Sequence, residues 1–265
     1  MSRSAPHKSL MTQQDPVTAA LLVIGDEILS GRTKDKNIGY IAEFLTNVGI
    51  DMKEVRVVPD EEDDIVAAVQ ALSRRYTYLF TTGGIGPTHD DITADCVAKA
   101  CGVTIDHDPR AVAILQARYK PEDLNEARMR MTRIPAGADL IDNPISKAPG
   151  FMIGNIIVMA GVPQIMQVML DNVLPKLKTG VKMLSRSVET GGLPEGVYAT
   201  PLGEVAKAHP GVIIGSYPSF DGKTFQNRIV MRAREDTVLE TVEKAVIETL
   251  NRLHEAQGSG YRLPL

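Results

Sequence analysis

A glycine-rich segment, Leu79–Asp95 with the sequence LFTTGGIGPTHDDITAD, carries the residues whose types and spacing best suit chemistry. Gly83, Gly84 and Gly86 allow left-handed backbone conformations and a close approach of the main chain to a ligand. Backbone N–H groups in such a turn, followed by the start of a helix, form a cradle for an anion such as phosphate. The predicted cradle and helix start comprise Thr82, Gly83, Gly84, Gly86, Pro87, Thr88, Asp90, Asp91 and Thr93.

Carboxylates also follow two earlier predicted strands. Asp26 and Glu27 come directly after Gly25, which ends the first of these strands, and Asp60 follows the second. Open α/β sheets bind ligands at the carboxyl ends of their strands, so these side chains are expected in one crevice. Two carboxylates there can hold a divalent cation against phosphate oxygens. A purely structural role stays open, with Asp60 as a helix cap and Asp26 and Glu27 in a turn.

The spacing of apolar residues predicts the elements that position these groups. Strands and helices alternate, which implies parallel strands, right-handed crossovers and helices on both faces. We therefore predict an α/β three-layer sandwich with a mostly parallel sheet. The predicted strands are Ala19–Gly25, Met52–Val58, Tyr76–Thr81 and Asn155–Met159. The predicted helices are Thr33–Val48, a helix opened by Asp60, Thr93–Ala100, residues 108–131 and Val162–Leu177.

The helix predicted over residues 108–131 is polar and rich in arginine. We expect its arginines to form a solvated face, from which one or two could reach a ligand phosphate or a partner subunit. The arginines in and beside this segment are Arg110, Arg118, Arg128, Arg130 and Arg133.

The pattern changes after Lys178–Gly180. The remainder reads as β-α-β-β-α, which resembles part of a ferredoxin-like split unit and predicts a small second α/β domain. Its predicted elements are a strand over 181–189, a helix over 201–208, strands over 211–216 and 224–233, and a helix over 237–256. The predicted organisation is a disordered tail over 1–17, a large domain over 18–178, the small domain over 181–256 and a tail over 257–265.

Composition limits the classes of partner. The 265 residues include 29 Lys+Arg against 33 Asp+Glu, a formal net charge of −4, with no Trp and 5% aromatic residues. Nucleic-acid binding needs basic patches and stacking platforms, so we expect no nucleic-acid partner. The apolar runs are too short to span a membrane, and the first residues lack the apolar core of a signal peptide. We therefore expect a cytoplasmic protein without a membrane partner.

The string TTGGIGPTHDDIT is neither a Rossmann GxGxxG fingerprint nor a P-loop. It resembles the signature TTGGxGxxxxDxT of the molybdopterin-binding fold shared by MoaB, MogA, gephyrin and the CinA amino-terminal domain. Gly25–Gly31, followed by Asp35 and Asn37, is similar to the CinA-type segment GDELLxGxxxDTN. Asn143–Pro144 and Ala148–Gly150 resemble later family segments. The resemblance covers about residues 18–235, is closest to the CinA type, and leaves no room for the carboxy-terminal amidohydrolase domain of full CinA proteins.

The resemblance implies roles for particular residues. Asp60 and Asp91 match carboxylates that MogA-like members use, so they are predicted as catalytic residues and as ligands for Mg²⁺, Mn²⁺ or Co²⁺. The loop before strand Asn155–Met159 is implied at the rim of the pocket, with Ser146, Lys147, Pro149 and Gly150. Family members are commonly dimers or trimers, so a homo-oligomer is expected.

Three functions remain open at this point. The first is a CinA-type protein that binds a phosphate-bearing pterin, such as molybdopterin, or a nucleotide at the glycine-rich loop. The second is a metal-dependent pyrophosphatase, a hydrolase acting on ADP-ribose-like or FAD-like dinucleotides. No GxSxG nucleophile elbow is present, so metal-assisted hydrolysis is favoured over covalent catalysis. The third is a non-catalytic regulatory or assembly subunit that retains the fold.

Overall fold

The computed structural model describes residues 15–220, 222–223 and 226–264. The chain divides at Gly180 into two compact units. Most of the tail predicted over residues 1–17 lies outside the described residues. Val17, however, is buried and accepts a hydrogen bond from the N–H of Asp51, so the first strand is anchored one residue before it begins.

The first unit contains a six-stranded sheet within the described residues, with spatial order β2-β1-β3-β8-β7-β6. The first four strands in this order are parallel, and β7 is antiparallel to both of its neighbours. A separate antiparallel pair joins β4 to β5. The strands are β1 (Thr18–Ile24), β2 (Asp51–Val58), β3 (Tyr78–Thr82), β4 (Ile105–His107), β5 (Arg133–Pro135), β6 (Asp139–Ile141), β7 (Gly150–Ile153) and β8 (Ile156–Met159).

Helices cover both faces of this sheet. Strand β1 is apolar and buried on both sides, as expected of a central strand in a parallel sheet. Leu21 and Val23 pack with α2 and α7 on one side, whereas Leu22 and Ile24 pack with α3 and α4 on the other. The helices are α1 (Asp26–Leu29), α2 (Asn37–Asn47), α3 (Glu62–Arg75), α4 (Thr93–Cys101), α5 (Pro109–Arg118), α6 (Glu126–Arg130) and α7 (Pro163–Val173). The predicted three-layer, mostly parallel α/β sandwich is confirmed.

The single helix predicted over residues 108–131 is wrong. Helix α5 ends at Arg118, a 3₁₀ turn follows at Pro121–Asp123, and α6 begins at Glu126. The break has a local cause, because Pro121 has no N–H to donate and disfavours helical backbone at the residue before it. Asn125 then caps α6 by accepting the N–H of Arg128.

The second unit has the predicted β-α-β-β-α order. Its antiparallel sheet has the order β10-β11-β9, so the last strand lies between the first two, as in a split β-α-β unit. Three boundaries differ from prediction by three residues or more: the first strand begins at Leu184, the last strand begins at Arg228, and the first helix begins six residues before Pro201. The elements are β9 (Leu184–Glu189), α8 (Glu195–Ala208), β10 (Ile213–Tyr217), β11 (Arg228–Ala233) and α9 (Asp236–Ala256).

The segment after α9, predicted as a tail, is attached to that helix. Asn251 accepts the N–H of Leu263 at 2.8 Å and donates to the carbonyl oxygen of Leu263 at 3.1 Å. Leu263 is buried, and the ring of Tyr261 lies 4.9 Å from that of His254. Among the described residues, no helix has both the length and the apolar character needed to cross a membrane.

Candidate functional site

A cavity of about 590 Å³ opens in the first unit, where strands β1, β3 and β8 reach their carboxyl ends. Its size lies in the range of pockets that hold small ligands and cofactors. Loops after all three strands contribute to its walls, as expected for an open α/β sheet. Predicted site residues that line it are Gly25, Glu27, Asp60, Gly83, Gly84, Gly86, Pro87, Asp90, Asp91 and Ser146.

The glycine-rich loop is built so tightly that side chains are excluded. Gly83 and Gly84 have φ values of 103° and 65°, in the region that favours glycine. A Cβ atom on Gly83 would overlap the carbonyl oxygen of Ile24, and one on Gly84 would overlap the hydroxyl of Thr93. On Gly86 it would lie 2.6 Å from Oδ2 of Asp91. The loop therefore keeps bare main chain at the cavity wall.

Hydrogen bonds to both ends of the loop fix its course. The N–H of Gly83 donates to the carbonyl oxygen of Met159 at 3.2 Å, and the N–H of Thr93 donates to the carbonyl oxygen of Gly84 at 3.0 Å. The Thr93 hydroxyl donates to the carbonyl of Gly83, also at 3.0 Å. In the described part of the chain, the N–H groups of Gly84, Ile85 and Gly86 have no acceptor. Three successive donors without an acceptor therefore belong to residues that line the cavity, as an anion cradle requires.

Asp60, which follows β2, also lines this cavity. Its Oδ2 accepts the N–H of Asp26 at 3.0 Å. Burial raises the pKa of the Asp60 carboxyl above its usual value, the Asp26 N–H opposes this shift, and the charges of Asp26, Glu27 and Asp90 raise the pKa further. The helix-cap alternative for Asp60 is wrong, because the N-cap of α3 is Glu61; the Asp60 side chain belongs instead to a crowded group of carboxylates.

Asp91 closes a turn at the other side of the loop. Its Oδ2 accepts both the N–H of Thr88 at 2.8 Å and the Thr88 hydroxyl at 2.5 Å. Both contacts hold the carboxylate beside Gly86, at the cavity wall. Among the described residues, no group of three or more His, Cys, Asp or Glu side chains is placed to bind a metal ion without further ligands.

A second wall is organised by Asn143, a residue that the sequence did not single out as functional. Its side chain is buried and donates to Ser146 Oγ at 2.5 Å and to the carbonyl of Ala148 at 2.8 Å. It also accepts the N–H groups of Ile145 and Ser146. Lys147 has a left-handed φ of 70° and does not line the cavity. In the sequence, Asn143 could have been found through the Asn143–Pro144 pair, which resembles a segment of the family.

The remaining predicted residues lie just outside the cavity wall. Thr82 and Thr93 are buried beneath the glycine-rich loop, and Gly150 is buried at the start of β7. The N–H of Asp26 donates to the Asp60 carboxylate, and the N–H of Thr88 donates to that of Asp91. Pro149 lines a smaller neighbouring cavity. Cavity residues that the sequence missed include Thr33, Met131, Asn143, Gly161, Pro163 and Ile165.

The main chain at Gly161 is held by a further long-range contact. Asn37, at the start of α2, donates from Nδ2 to the carbonyl oxygen of Gly161 at 2.8 Å. A Cβ on Gly161 would come within 3.3 Å of Gly83, so the loop after β8 packs directly on the glycine-rich loop. In the sequence Asn37 belongs to the segment similar to GDELLxGxxxDTN, and this contact gives it a structural role.

Comparison with known proteins places this site in a family. Residues 20–179 match the model of the probable molybdopterin binding domain, and residues 182–256 match that of the FAD synthase middle domain. The chain belongs to the molybdopterin binding domain family, which confirms the resemblance drawn from TTGGIGPTHDDIT.

Individual relatives agree with this assignment. A protein of Caldivirga maquilingensis is 35% identical over 208 residues, covering 76% of this chain and 81% of its own length. A protein of Aeropyrum pernix is 31% identical over 249 residues, covering 90% of this chain and 92% of its own length. The crystal structure of CinA from Thermoplasma acidophilum, a protein of unknown function, is 33% identical with a TM-score of 0.57 and matches 60% of this chain and 96% of its own.

Proposed function

We propose that the cavity binds a phosphate-bearing pterin or nucleotide, with a phosphate on the N–H groups of Gly84, Ile85 and Gly86. The observation that carries this proposal is the row of three donors without acceptors on a cavity of about 590 Å³. A phosphate would accept these hydrogen bonds, and the bare glycines allow it to approach the main chain closely. Membership of a family described as molybdopterin binding supports a pterin as one such ligand.

A divalent cation fits the chemistry of the donor set. Glu27, Asp60, Asp90 and Asp91 all line the cavity, and burial together with the neighbouring carboxylate charges raises the pKa of Asp60. Mg²⁺ is commonly held by one or two carboxylates together with substrate phosphates, so a preformed cage of three ligands is not required. We propose that Asp60 and Asp91 would hold Mg²⁺, Mn²⁺ or Co²⁺. Such an ion would polarise a phosphoryl oxygen and lower the pKa of a bound water.

A second candidate function is hydrolysis of a dinucleotide pyrophosphate. The match of residues 182–256 to a domain of FAD synthase favours it, because FAD is itself a dinucleotide. In that reaction water adds to one phosphorus, the bridging P–O bond breaks, and two monophosphates leave. The glycine-rich loop would hold one phosphate while the carboxylates bind the cation.

The test uses purified full-length protein with ADP-ribose or FAD and Mg²⁺, Mn²⁺ or Co²⁺. Hydrolysis would be followed by chromatography of the products, and molybdopterin binding by titration. Asp91→Ala should remove turnover while the protein stays folded, whereas Asp63→Asn, on the exposed side of α3, should have no effect. Binding of molybdopterin without hydrolysis would support the carrier function. Absence of both binding and hydrolysis would favour a non-catalytic subunit.

A further inference from the structure

A second, much smaller cavity of about 20 Å³ lies against the same glycine-rich loop. Gly84, Ile85, Gly86, Asp91 and Met131 line both cavities, so the two cavities adjoin at the glycine-rich loop. The smaller cavity is also lined by Arg130, at the end of α6, and by Arg133, at the start of β5. Two arginines therefore lie beside the loop whose N–H groups have no acceptor among the described residues.

The two arginines differ in how their charge is balanced. Arg133 forms an ion pair with Asp95, and both side chains are about two-thirds buried. Arg130 makes no ion pair with a carboxylate in the described part of the chain; it donates one long hydrogen bond, at 3.4 Å, to the carbonyl oxygen of Asp91. The Nε atoms of both arginines are buried without an acceptor, so the difference lies in the carboxylate partner that Arg133 has and Arg130 lacks. The Asp91 carboxylate is occupied by Thr88 instead.

The local sequence explains why this charge points inward. Arg128, two residues earlier, lies over the ring of Tyr119 and donates to the carbonyl of Asp123, so it belongs to the outer side of the segment. Arg130 is half-buried at the last turn of α6, against the loop that follows β3. A partly buried cation without a counter-charge is unfavourable unless an anion is bound nearby.

We infer that Arg130 is the positioning residue that makes the glycine-rich loop selective for phosphate, adding a positive charge behind its N–H groups and holding the carbonyl of Asp91. The inference rests on the proposed function, since it concerns the same ligand phosphate. A bound phosphate would lie on one side of the loop and Arg130 on the other. The attraction acts between a half-buried guanidinium and the phosphate across the loop, so it contributes to affinity and is reduced by salt.

The test measures the affinity of the full-length protein for AMP and ADP-ribose by calorimetry at low and high salt. Arg130→Gln removes the charge, and Arg130→Lys keeps it. The matched control is the double variant Arg133→Gln with Asp95→Asn, which removes the neighbouring ion pair without changing the net charge. Thermal unfolding of each variant checks that it folds.

Arg130→Gln should lower the affinity for both AMP and ADP-ribose by about tenfold or more and reduce the dependence of that affinity on salt. Arg130→Lys should regain most of the loss, and the double control should bind as wild type. Equal binding by wild type and Arg130→Gln, or equal losses in the glutamine and lysine variants, would overturn the inference and leave the proposed function standing. Wild-type protein that binds neither nucleotide would overturn both.

Discussion

Replacing Gly83 with alanine tests whether the anion cradle depends on bare main chain. The φ of 103° at Gly83 is unfavourable for any side chain, at a cost of about 1–2 kcal/mol. The added Cβ would also lie well inside 3.0 Å of the carbonyl oxygen of Ile24, a backbone atom of β1 that cannot rotate away. Overpacking of this kind costs about 1–3 kcal/mol. The total expected loss is therefore about 2–5 kcal/mol, or roughly 5–15 °C in Tm.

Substitutions at two other glycines separate the conformational cost from the steric cost. Gly102 caps α4 with φ 68° and has open space around its Cβ position, so Gly102→Ala carries only the conformational cost of about 1 kcal/mol. Gly39 lies inside α2, also with open space, so Gly39→Ala should stabilise the protein by about 0.5–1 kcal/mol. Urea unfolding of all three variants gives the differences directly, and titration with ADP-ribose measures the accompanying loss of binding.

The order of the three variants decides the outcome. Gly83→Ala should be the least stable, Gly102→Ala intermediate and Gly39→Ala more stable than wild type. A Gly83→Ala protein as stable as Gly102→Ala would show that the contact with Ile24 relaxes at little cost. In that case the close approach of the loop to β1 would not be a constraint on the site, and the steric part of the reasoning would be refuted.

Three further substitutions test other side chains of the two units. Asp60→Asn should raise Tm near pH 7. The folded pKa of Asp60 lies above its unfolded value, so ionisation of this carboxyl lowers the stability of the wild type as pH rises. The higher Tm of the variant should therefore vanish below about pH 3.8, which melting curves at several pH values would show. Asn143→Ala should cost about 2–4 kcal/mol in urea unfolding and weaken nucleotide binding, because four hydrogen bonds of a cavity wall are lost; unchanged affinity would contradict this. Tyr198→Phe, which removes a hydrogen bond to Ser216, should cost about 1 kcal/mol and leave binding in the first unit unaffected.

The parts of the fold that sequence predicted are those with a local cause. The buried apolar run of β1 and the alternation of strands and helices specify a sheet covered on both faces. The helix predicted over residues 108–131 is interrupted, because Pro121 cannot continue a helix and α5 has already ended at Arg118. At α8 the helix is longer than predicted. The prediction begins it at Pro201, but the preceding turn carries Tyr198, whose complete burial stabilises that turn as helix through tertiary packing.

The site shows the same division between local and distant causes. The glycine-rich loop was predictable because Gly83, Gly84 and Thr93 specify its conformation within a few residues. Asn143 was not, and Arg130 was predictable only as one of five arginines of which one or two could reach a phosphate, because both positions depend on loops that return to the cavity from far along the chain. An arginine in a polar segment reads as solvated until the fold places its Nε against a distant loop.

The charges around the cavity constrain how a phosphate could bind there. The same cavity that presents three free N–H groups is lined by Glu27, Asp60, Asp90 and Asp91, in a chain whose net charge is −4. Those carboxylates repel a phosphate, and the dipoles of three N–H groups are weaker than full charges. On the proposed function, binding therefore needs both a cation between the carboxylates and the phosphate and the charge of Arg130 behind the loop. It follows that Mg²⁺ should tighten nucleotide binding in wild type, and that Asp60→Asn should reduce this dependence on Mg²⁺ even though it removes a repelling charge.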